Sequence, residues 1–408
     1  MSPAAQRIVV TGMGAVSPFG EGAGTLWRNL REGRSAIGPL RHPQASQLRV
    51  SVAAQVPESF DTATRFDGRL LPMLDRVSQF AMLAAREAIA QAGIAFDTDR
   101  ARLRTAVVIG TGAGGETSHE EQAKRLFAEN ATRVHPLTIV RLMANAPASQ
   151  ISIAHGLRGP AFGVASACAS SNHAIAQAAL LIRAGLADVA IAGGTEACFT
   201  YAALRAWEAM RVLADDTCRP FSANRRGLVL GEGAGVFVLE SAEHAHARGA
   251  MPLAELAGVG MSADAGDIVA PTPAGAAAAI AQALADAQLN VGDIDYINAH
   301  GTGTQANDLS ETRAIHQVFG PHARRLAVSS TKSMHGHALG ASGALELVAV
   351  LGAMGEGVVP PTANLDQPDP ACDLDYVPHT ARDWPVRAAL SHSFAFGGLN
   401  AVLALKRI

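Results

Sequence analysis

Residues 162–168 read Phe-Gly-Val-Ala-Ser-Ala-Cys, and residues 326–332 read Leu-Ala-Val-Ser-Ser-Thr-Lys. Each stretch is an apolar run of strand type that gives way to small residues. A single offset superposes the apolar residues of the two stretches and carries Cys168 onto Lys332. We therefore predict that Cys168 and Lys332 begin equivalent helices in two related halves of the chain. In a pseudo-twofold arrangement these helix ends face one central site.

Other segments of the chain also occur twice in the same order, which indicates a duplication. Each half opens on a glycine-containing strand, continues to a strand that ends in Gly-Thr-Gly, and closes on a glycine turn and a strand. The paired segments are 7–14 with 252–260, 105–112 with 294–303, and 230–239 with 396–405. This repeat predicts two halves, 1–249 and 250–408.

The segments between these strands favour amphipathic helices rich in alanine and leucine. The predicted helices are Ser78–Gln91, Asn172–Ala184, Ala276–Ala287 and Gly343–Met354. Strands that alternate with such helices predict an α/β fold with helices packed between sheets. The first half is longer by residues 116–159 and 201–226, which we expect to form caps and interfaces.

The composition of the 408-residue chain narrows the class of protein. Hydrophobic residues make up 49% and charged residues 17%, against a typical charged share of about 25%, so we expect part of the surface to lie in a subunit interface. A net charge of −3 with scattered basic residues gives no support for nucleic-acid binding. The sequence predicts no signal peptide and no apolar run of membrane-spanning length. Four cysteines without a C-x-x-C pair favour a reducing, cytoplasmic setting.

Four residues lie in stretches of small residues at the ends of apolar runs: Cys168, His300, Lys332 and His337. A thiol among alanines and serines at a strand-to-helix junction is placed for nucleophilic attack, because a helix N-terminus stabilises a thiolate. Two histidines from separate strand ends can supply hydrogen bonds or proton transfer. Each residue alone is also compatible with a structural role, whereas all four together favour an active site.

Long motifs resemble those of the β-ketoacyl-acyl-carrier-protein synthases, the chain-elongating condensing enzymes. They run from Thr-Gly-Met-Gly-Ala-Val-Ser-Pro-Phe-Gly at 11–20 to Ser-Phe-Ala-Phe-Gly-Gly-Leu-Asn-Ala-Val at 393–402. The resemblance implies the thiolase fold, with duplicated βαβαβαββ halves in a five-layered α-β-α-β-α arrangement. It also implies a homodimer in most members.

The resemblance further implies the reaction and the roles of residues. Cys168 takes an acyl chain from its carrier as a thioester. His300 and His337 assist loss of carbon dioxide from a malonyl carrier and stabilise the enolate, which then attacks the thioester. The backbone N–H groups of Cys168 and Phe396 form the oxyanion hole. Lys332 and Glu346 form a buried ion pair that organises the histidines.

Substrate contacts follow from the same resemblance. Thr302 and Thr304 meet the phosphopantetheine arm of an acyl carrier protein, Phe396 gates the acyl pocket, and Ala113 leaves space at the pocket floor near a dimer partner. Arg133 and Arg211 are expected to bind the acidic carrier protein. The chemistry requires no metal and no dissociable organic cofactor, since the substrates are carried on the phosphopantetheine arm.

Other kinds of protein fit the residues less well. Residues 329–332 satisfy the S-x-x-K pattern of serine acyl-enzymes, but neither S-D-N nor K-T-G follows. The glycines of 11–17 lack the third glycine of a dinucleotide loop. Cysteine and histidine at 168, 300 and 337 are zinc-type ligands, but a metal would quench the nucleophile. A chain-length factor would lack the cysteine, although this chain could be the active half of a heterodimer with such a partner.

Several positions depart from the pattern of housekeeping fatty-acid synthases. These departures are Arg226, Leu228, Asn307, His335, Ala395 and Leu399. The features at Asn307 and His335 resemble specialised synthases of polyketides, aryl polyenes and nodulation-type polyunsaturated chains, and the other four departures bear on which acyl substrate is used. The alternative of a type II polyketide or aryl-polyene synthase subunit therefore stays open, as do chain length, saturation and the choice between homodimer and heterodimer.

Overall fold

The computed structural model describes residues 6–408 and leaves Met1–Ala5 outside, so the predictions about the first residues of the chain lie partly outside the described range. Strands β1–β15 are, in order, Ile8–Ser17, Gly20–Glu21, Gly38–Pro39, Val52–Ala53, Thr105–Gly110, Ala161–Val164, Val189–Glu196, Gly233–Ser241, Ala254–Ala263, Tyr296–Asn298, Ala327–Ser329, Val358–Val359, Arg382–Asp383, Ala388–Ala395 and Leu399–Lys406. Helices α1–α13 are Ala23–Arg31, Arg76–Ala92, Asp99–Leu103, Glu116–Phe127, Thr138–Leu142, Ala146–His155, Ser170–Arg183, Tyr201–Met210, Ala242–Ala247, Pro273–Ala287, Gln305–Phe319, Lys332–His335 and Ser342–Glu356.

The two halves of the chain have the same sheet topology. In the first half the strand order is β6-β5-β7-β8-β1, and in the second it is β11-β10-β14-β15-β9. Within each half the first three strands of that order are parallel and the remaining pairings are antiparallel. Each half therefore follows a βαβαβαββ path, which confirms the duplication predicted from the sequence repeat.

A short antiparallel pairing joins the halves. Residues Ile8–Val10 of β1 pair with Ala254–Leu256 of β9 and merge the strands into one eleven-stranded sheet. Helices α7 and α13 pack against each other and against strands of both halves, whereas α2 covers the first half and α10 covers the second. The layers are therefore α-β-α-β-α, as the thiolase fold requires.

Helix α13 lies in the central layer and is apolar on all sides for that reason. Residues Ser342–Met354 are all buried. Leu339–Glu356 is long and apolar enough to cross a membrane by length and composition, which the sequence analysis did not predict, but 89% of this window is buried inside the protein. The segment is the core helix of the fold.

Cys168 and Lys332 follow equivalent strands, as predicted. The prediction that they begin equivalent helices is wrong. Strands β6 and β11 occupy corresponding edges, and Cys168 lies in a turn directly before the long helix α7. Lys332 instead begins the four-residue helix α12, and the long central helix of the second half starts later, at Ser342. The intervening residues 336–341 carry His337 to the site.

Candidate active site

Cys168 lies in a sharp turn between β6 and α7. Ala167 has a φ of +49°, which is strained for a residue with a side chain. The turn is held by Ser170, whose hydroxyl accepts the Ser166 N–H at 2.9 Å and donates to the Ala167 carbonyl at 2.7 Å. Strand β5 approaches closely, since a Cβ on Gly110 would lie 2.3 Å from the Ser170 carbonyl oxygen. This packing fixes the thiol at the N-terminal end of α7.

Both predicted histidines converge on this thiol. The Cys168 sulfur lies 3.1 Å from His337 Nε2. The rings of His300 and His337 are perpendicular, with centroids 5.4 Å apart. One potential ligand atom from each of the three side chains lies within 4.8 Å of the others. All three residues are buried, so their side chains are shielded from bulk water.

Lys332 and Glu346 form a fully buried ion pair behind the histidines. The Lys332 ammonium also lies 3.3 Å from His300 Nδ1. Because an ammonium group only donates hydrogen bonds, Nδ1 of His300 is the acceptor and its proton resides on Nε2. Burial raises the pKa of Glu346 to about 7, and the neighbouring ammonium opposes that rise.

The two histidines are neutral at physiological pH. Burial lowers the pKa of His300 and of His337 well below the ordinary value, and the Lys332 charge lowers both further. Nδ1 of His337 lies 2.7 Å from the hydroxyl of Ser342. A hydroxyl can donate or accept, so both tautomers of His337 are available: one accepts a proton at Nε2, and the other donates one there.

The Cys168 thiol is protonated in the resting protein. Burial raises its pKa to about 12, whereas the Lys332 ammonium and the backbone N–H groups of Cys168 and Phe396 lower it. Desolvation of the buried thiol therefore opposes the stabilisation of a thiolate that the helix N-terminus provides. The two N–H groups still lie at the sulfur, which is the arrangement expected of an oxyanion hole.

The site opens into a cavity of about 110 Å³. Its predicted pantetheine ligands are adjacent, with the hydroxyls of Thr302 and Thr304 2.9 Å apart. Three of the departures from the housekeeping pattern also line the cavity: Leu228, Asn307 and Ala395. The remaining lining residues are Cys168, Val212, Val269, Pro271, His300, Ala306, His337, Phe394 and Phe396. Apart from the catalytic residues, threonines and Asn307, the wall is apolar, as an acyl chain requires.

Besides Lys332 and Glu346, which lie behind the histidines, three predicted residues lie outside this cavity. Ala113 is exposed, and its N–H donates to Glu196 at 3.3 Å. Arg211 is exposed and directly precedes Val212 of the cavity wall, so it lies near the mouth. Arg133 is exposed in the cap that follows α4. Their roles in the acyl pocket and in carrier docking stay predictions.

Several residues that support the site were not predicted from the sequence. Ser342 contacts His337, Phe394 packs beside His300, and Glu311 accepts the His300 backbone N–H at 2.8 Å. Ser342 begins α13 and lies five residues after His337, Glu311 lies on α11 eleven residues after His300, and Phe394 lies on the separate strand β14. His392 interrupts the apolar strand β14, which weakly indicates a special role. No sequence pattern predicts its contact with Glu311.

The Cys168, His300 and His337 side chains also form a donor set of the kind that binds zinc. The Lys332 ammonium, 3.3 Å from His300, disfavours a second positive charge at this point. The electrostatics of the site therefore suit an uncharged nucleophile and neutral bases better than a divalent cation.

Family comparisons cover most of the chain. The model described as "Beta-ketoacyl synthase, N-terminal domain" matches residues 5–245, and the one described as "Beta-ketoacyl synthase, C-terminal domain" matches residues 253–366. Among curated relatives, nodulation protein E of Rhizobium sp. (strain N33) is 52% identical over 406 residues, which are 99% of this chain and all of the relative. The 3-oxoacyl-[acyl-carrier-protein] synthase 2 of Synechocystis sp. is 43% identical over 410 residues, and 98% of each chain is covered.

Solved structures give the same result. A chain of the ishigamide ketosynthase/chain length factor superposes with a TM-score of 0.94 at 35% identity, covering 99% of this chain and all of that one. A chain of AntDE:AntF, a type II polyketide ketosynthase with its acyl-carrier protein, superposes with a TM-score of 0.89 at 30% identity and the same coverage.

Proposed function

The chain belongs to the β-ketoacyl synthase family and is a chain-elongating condensing acyltransferase, and we propose that Cys168, His300 and His337 carry the reaction. The observation that supports these roles is the convergence of one thiol and two neutral imidazoles within 4.8 Å in a buried pocket. The buried Lys332–Glu346 pair behind them gives the imidazoles fixed orientations.

The first step loads the acyl chain. Nε2 of His337, 3.1 Å from the sulfur, accepts the thiol proton as Cys168 attacks the carbonyl of an acyl thioester. The developing oxyanion is stabilised by the backbone N–H groups of Cys168 and Phe396. The S–C bond to Cys168 forms, the bond to the carrier sulfur breaks, and the carrier thiol leaves with the proton.

The second step forms the carbon–carbon bond. The Nε2–H of His300 donates to the thioester oxygen of a malonyl carrier, and His337 in its Nε2–H tautomer donates to the same oxygen. Loss of carbon dioxide leaves an enolate that these donors stabilise. Its carbon attacks the acyl-Cys168 thioester and the sulfur–carbon bond breaks. The sulfur leaves as a thiolate, which takes up a proton from water.

We propose that the acyl and malonyl groups arrive on the phosphopantetheine arm of an acyl carrier protein, beside Thr302 and Thr304. Relatives are named as acyl-carrier-protein synthases, and one similar ketosynthase is described in complex with its carrier. Exposed Arg211 near the mouth, with Arg133 on the cap, would attract an acidic carrier. Neither arginine forms an ion pair with another described residue.

We further propose a homodimer that works in the cytoplasm without a metal cofactor. Strand β6 ends the sheet and exposes Phe162, and the cap exposes Phe127 and Ile139. An unpaired edge beside apolar side chains is a surface that a second copy would cover. Four free, buried cysteines support a reducing compartment.

A heterodimer with a chain-length-factor-like subunit is the second candidate. The similarity to a chain of a ketosynthase/chain length factor favours it, as do the departures Leu228, Asn307 and Ala395 in the cavity wall. Under both candidates we propose a specialised acyl substrate, such as a long or polyunsaturated chain.

The function is tested by incubating the purified protein with malonyl carrier and a panel of acyl carriers of different length and unsaturation. Mass spectrometry should detect a β-ketoacyl product two carbons longer than the acyl donor, and none with Cys168→Ala. Equal product from Cys168→Ala would overturn the assignment of the nucleophile. Gel filtration of the same sample distinguishes a self-associating chain from one that needs a partner.

A further inference from the structure

A buried carboxylate holds the backbone that carries His300. Glu311 lies on α11 and is 1% exposed. One of its oxygens accepts the backbone N–H of His300 at 2.8 Å, and the other accepts the N–H of Gly301 at 2.8 Å. Gly301 has a φ of +36°, so the chain turns sharply here. Glu311 therefore clamps both N–H groups of this turn from one side.

His392 is the ionisable side chain that contacts this carboxylate. It lies on β14, is fully buried, and places Nδ1 3.0 Å from the same Glu311 oxygen that accepts the His300 N–H. Among residues 6–408 no lysine or arginine forms an ion pair with Glu311. The Lys332 ammonium pairs with Glu346. Among the described residues, His392 is therefore the one side chain that hydrogen-bonds to Glu311.

The contact also fixes the imidazole of His392. A carboxylate accepts, so the proton of His392 lies on Nδ1. Its Nε2 atom is buried and has no hydrogen-bond partner among the described residues, which makes Glu311 its one polar contact. The ring of Phe394, which lines the cavity, packs beside both histidines, with centroid distances of 5.2 Å to His392 and 6.1 Å to His300.

We propose that His392, acting through Glu311, is a positioning residue for His300. The ring of His300 is held at Nδ1 by Lys332, and its backbone is held by Glu311. Both restraints are needed to aim Nε2–H at the thioester oxygen of the malonyl substrate. This inference rests on the proposed role of His300 in decarboxylation.

The contacts that run from His392 through Glu311 to His300 do not extend to Cys168. Cys168 is held by its own turn, by Ser170 and by α7, none of which contacts His392 or Glu311 through a hydrogen bond. Loss of His392 should therefore impair the step that needs His300 and spare acyl loading of Cys168. A displacement of about 1 Å at a catalytic group can cost about a hundredfold in rate.

The test compares His392→Phe, which removes the donor, with His392→Asn, which keeps a short N–H donor. His155→Asn, on the outer helix α6, is the matched control. Each variant is assayed for acyl loading of Cys168 by intact mass, for kcat and KM of carbon-dioxide release from malonyl carrier, and for thermal unfolding. We expect His392→Phe to lower kcat about tenfold or more with KM and loading little changed, and His392→Asn to recover part of the loss.

Four results would overturn the inference: wild-type kcat in His392→Phe, a parallel loss of loading and decarboxylation, no recovery in a folded His392→Asn, or an equal loss in His155→Asn. His300→Ala, measured alongside, separates this inference from the proposed function. Intact decarboxylation in His300→Ala refutes the role of His300 itself, and the inference with it. Loss in His300→Ala with wild-type decarboxylation in His392→Phe refutes the positioning role alone.

Discussion

At the scale of single residues, burial keeps the thiol and the two imidazoles of the site uncharged. They lie beside one buried ion pair, Lys332–Glu346. The Cys168 thiol has a pKa raised to about 12, and the pKa values of His300 and His337 are lowered. A neutral thiol next to a neutral imidazole avoids the cost of isolated buried charges. The proton then moves only when a substrate carbonyl is present to receive the sulfur.

The convergence of Cys168, His300 and His337 could be predicted from the sequence, because each lies in a stretch of small residues at the end of an apolar run. The residues that orient them could not. Ser342 lies five residues after His337 and Glu311 eleven residues after His300, but a serine and a glutamate at these spacings predict no such contacts. The raised pKa of the Cys168 thiol was not predicted either, since desolvation depends on the packing of all layers around Cys168.

The Lys332–Glu346 pair gives a residue-scale prediction. Lys332→Met removes the donor to His300 and leaves Glu346 buried without its partner, so we expect about 3–5 kcal/mol lower stability together with loss of decarboxylation. The double variant Lys332→Met, Glu346→Leu should recover most of the stability and none of the activity. Denaturant unfolding and carbon-dioxide release measure the two effects. A single variant as stable as the wild type would show that the pair does not stabilise the fold.

At the scale of elements, four of the long helices could be predicted within three residues at each end, whereas α4 and α11 were not predicted as helices. Ser78–Gln91 was expected and Arg76–Ala92 is observed, because the apolar face of this helix is periodic throughout. The course of the chain after Lys332 was not predictable in the same way. Residues 336–341 interrupt the helical pattern and bring His337 to Cys168. The second half of the chain therefore departs from the repeat at this point.

Strand β5 and the loop after it give a prediction about the acyl pocket. Ala113 is exposed in the single chain, so it can bound the pocket only if a second chain covers it. We expect Ala113→Phe to shorten the longest product and to spare short-chain condensation. Leu228→Phe narrows the cavity wall within the chain and is the matched comparison, since it acts without a partner.

Product lengths from both variants decide where the pocket ends. An unchanged product profile in Ala113→Phe, with shortening in Leu228→Phe, would place the limit within the single chain. Unaltered products from both would mean that other residues bound the acyl chain.

At the scale of the whole molecule, the duplicated sheets and the central helices were predictable from the repeat alone. The association of the chain with other molecules was not predictable, because exposed surfaces carry no periodic signal.

The surface near the cavity mouth nevertheless yields a prediction. Arg211→Glu should raise the apparent KM for carrier-bound substrate, and high salt should reduce the difference because it screens the charges. Arg325→Glu is the control, because Arg325 is exposed and lies at the opposite end of β11 from Lys332. An unchanged KM of Arg211→Glu at low salt would remove Arg211 from the docking surface.

The burial of the cysteines predicts how stability depends on pH. Burial raises the pKa of Cys218 to about 12 and of Cys372 to about 11, and it raises that of Cys198 well above the ordinary value. The folded chain therefore keeps protons that the unfolded chain releases near pH 9. This contribution is complete below pH 9 and is lost as the pH rises toward 11 and above.

Denaturant unfolding between pH 8 and 10.5 should show a falling free energy of unfolding. Cys372→Ala, which removes one titrating thiol, should make the slope less steep above pH 9. A free energy that stays constant over this range would mean that the thiols ionise equally in the folded and unfolded chains.

The central claim is that Cys168 holds the acyl chain while His300 and His337 decarboxylate the malonyl group. Cys168→Gln tests it most directly, because the amide removes the nucleophile and leaves both imidazoles in place. The account predicts that this variant releases carbon dioxide from malonyl carrier and accumulates acetyl carrier, with no acyl mass on the protein and no condensation product. A condensation product from Cys168→Gln, or loss of decarboxylation in a folded variant, would contradict the account.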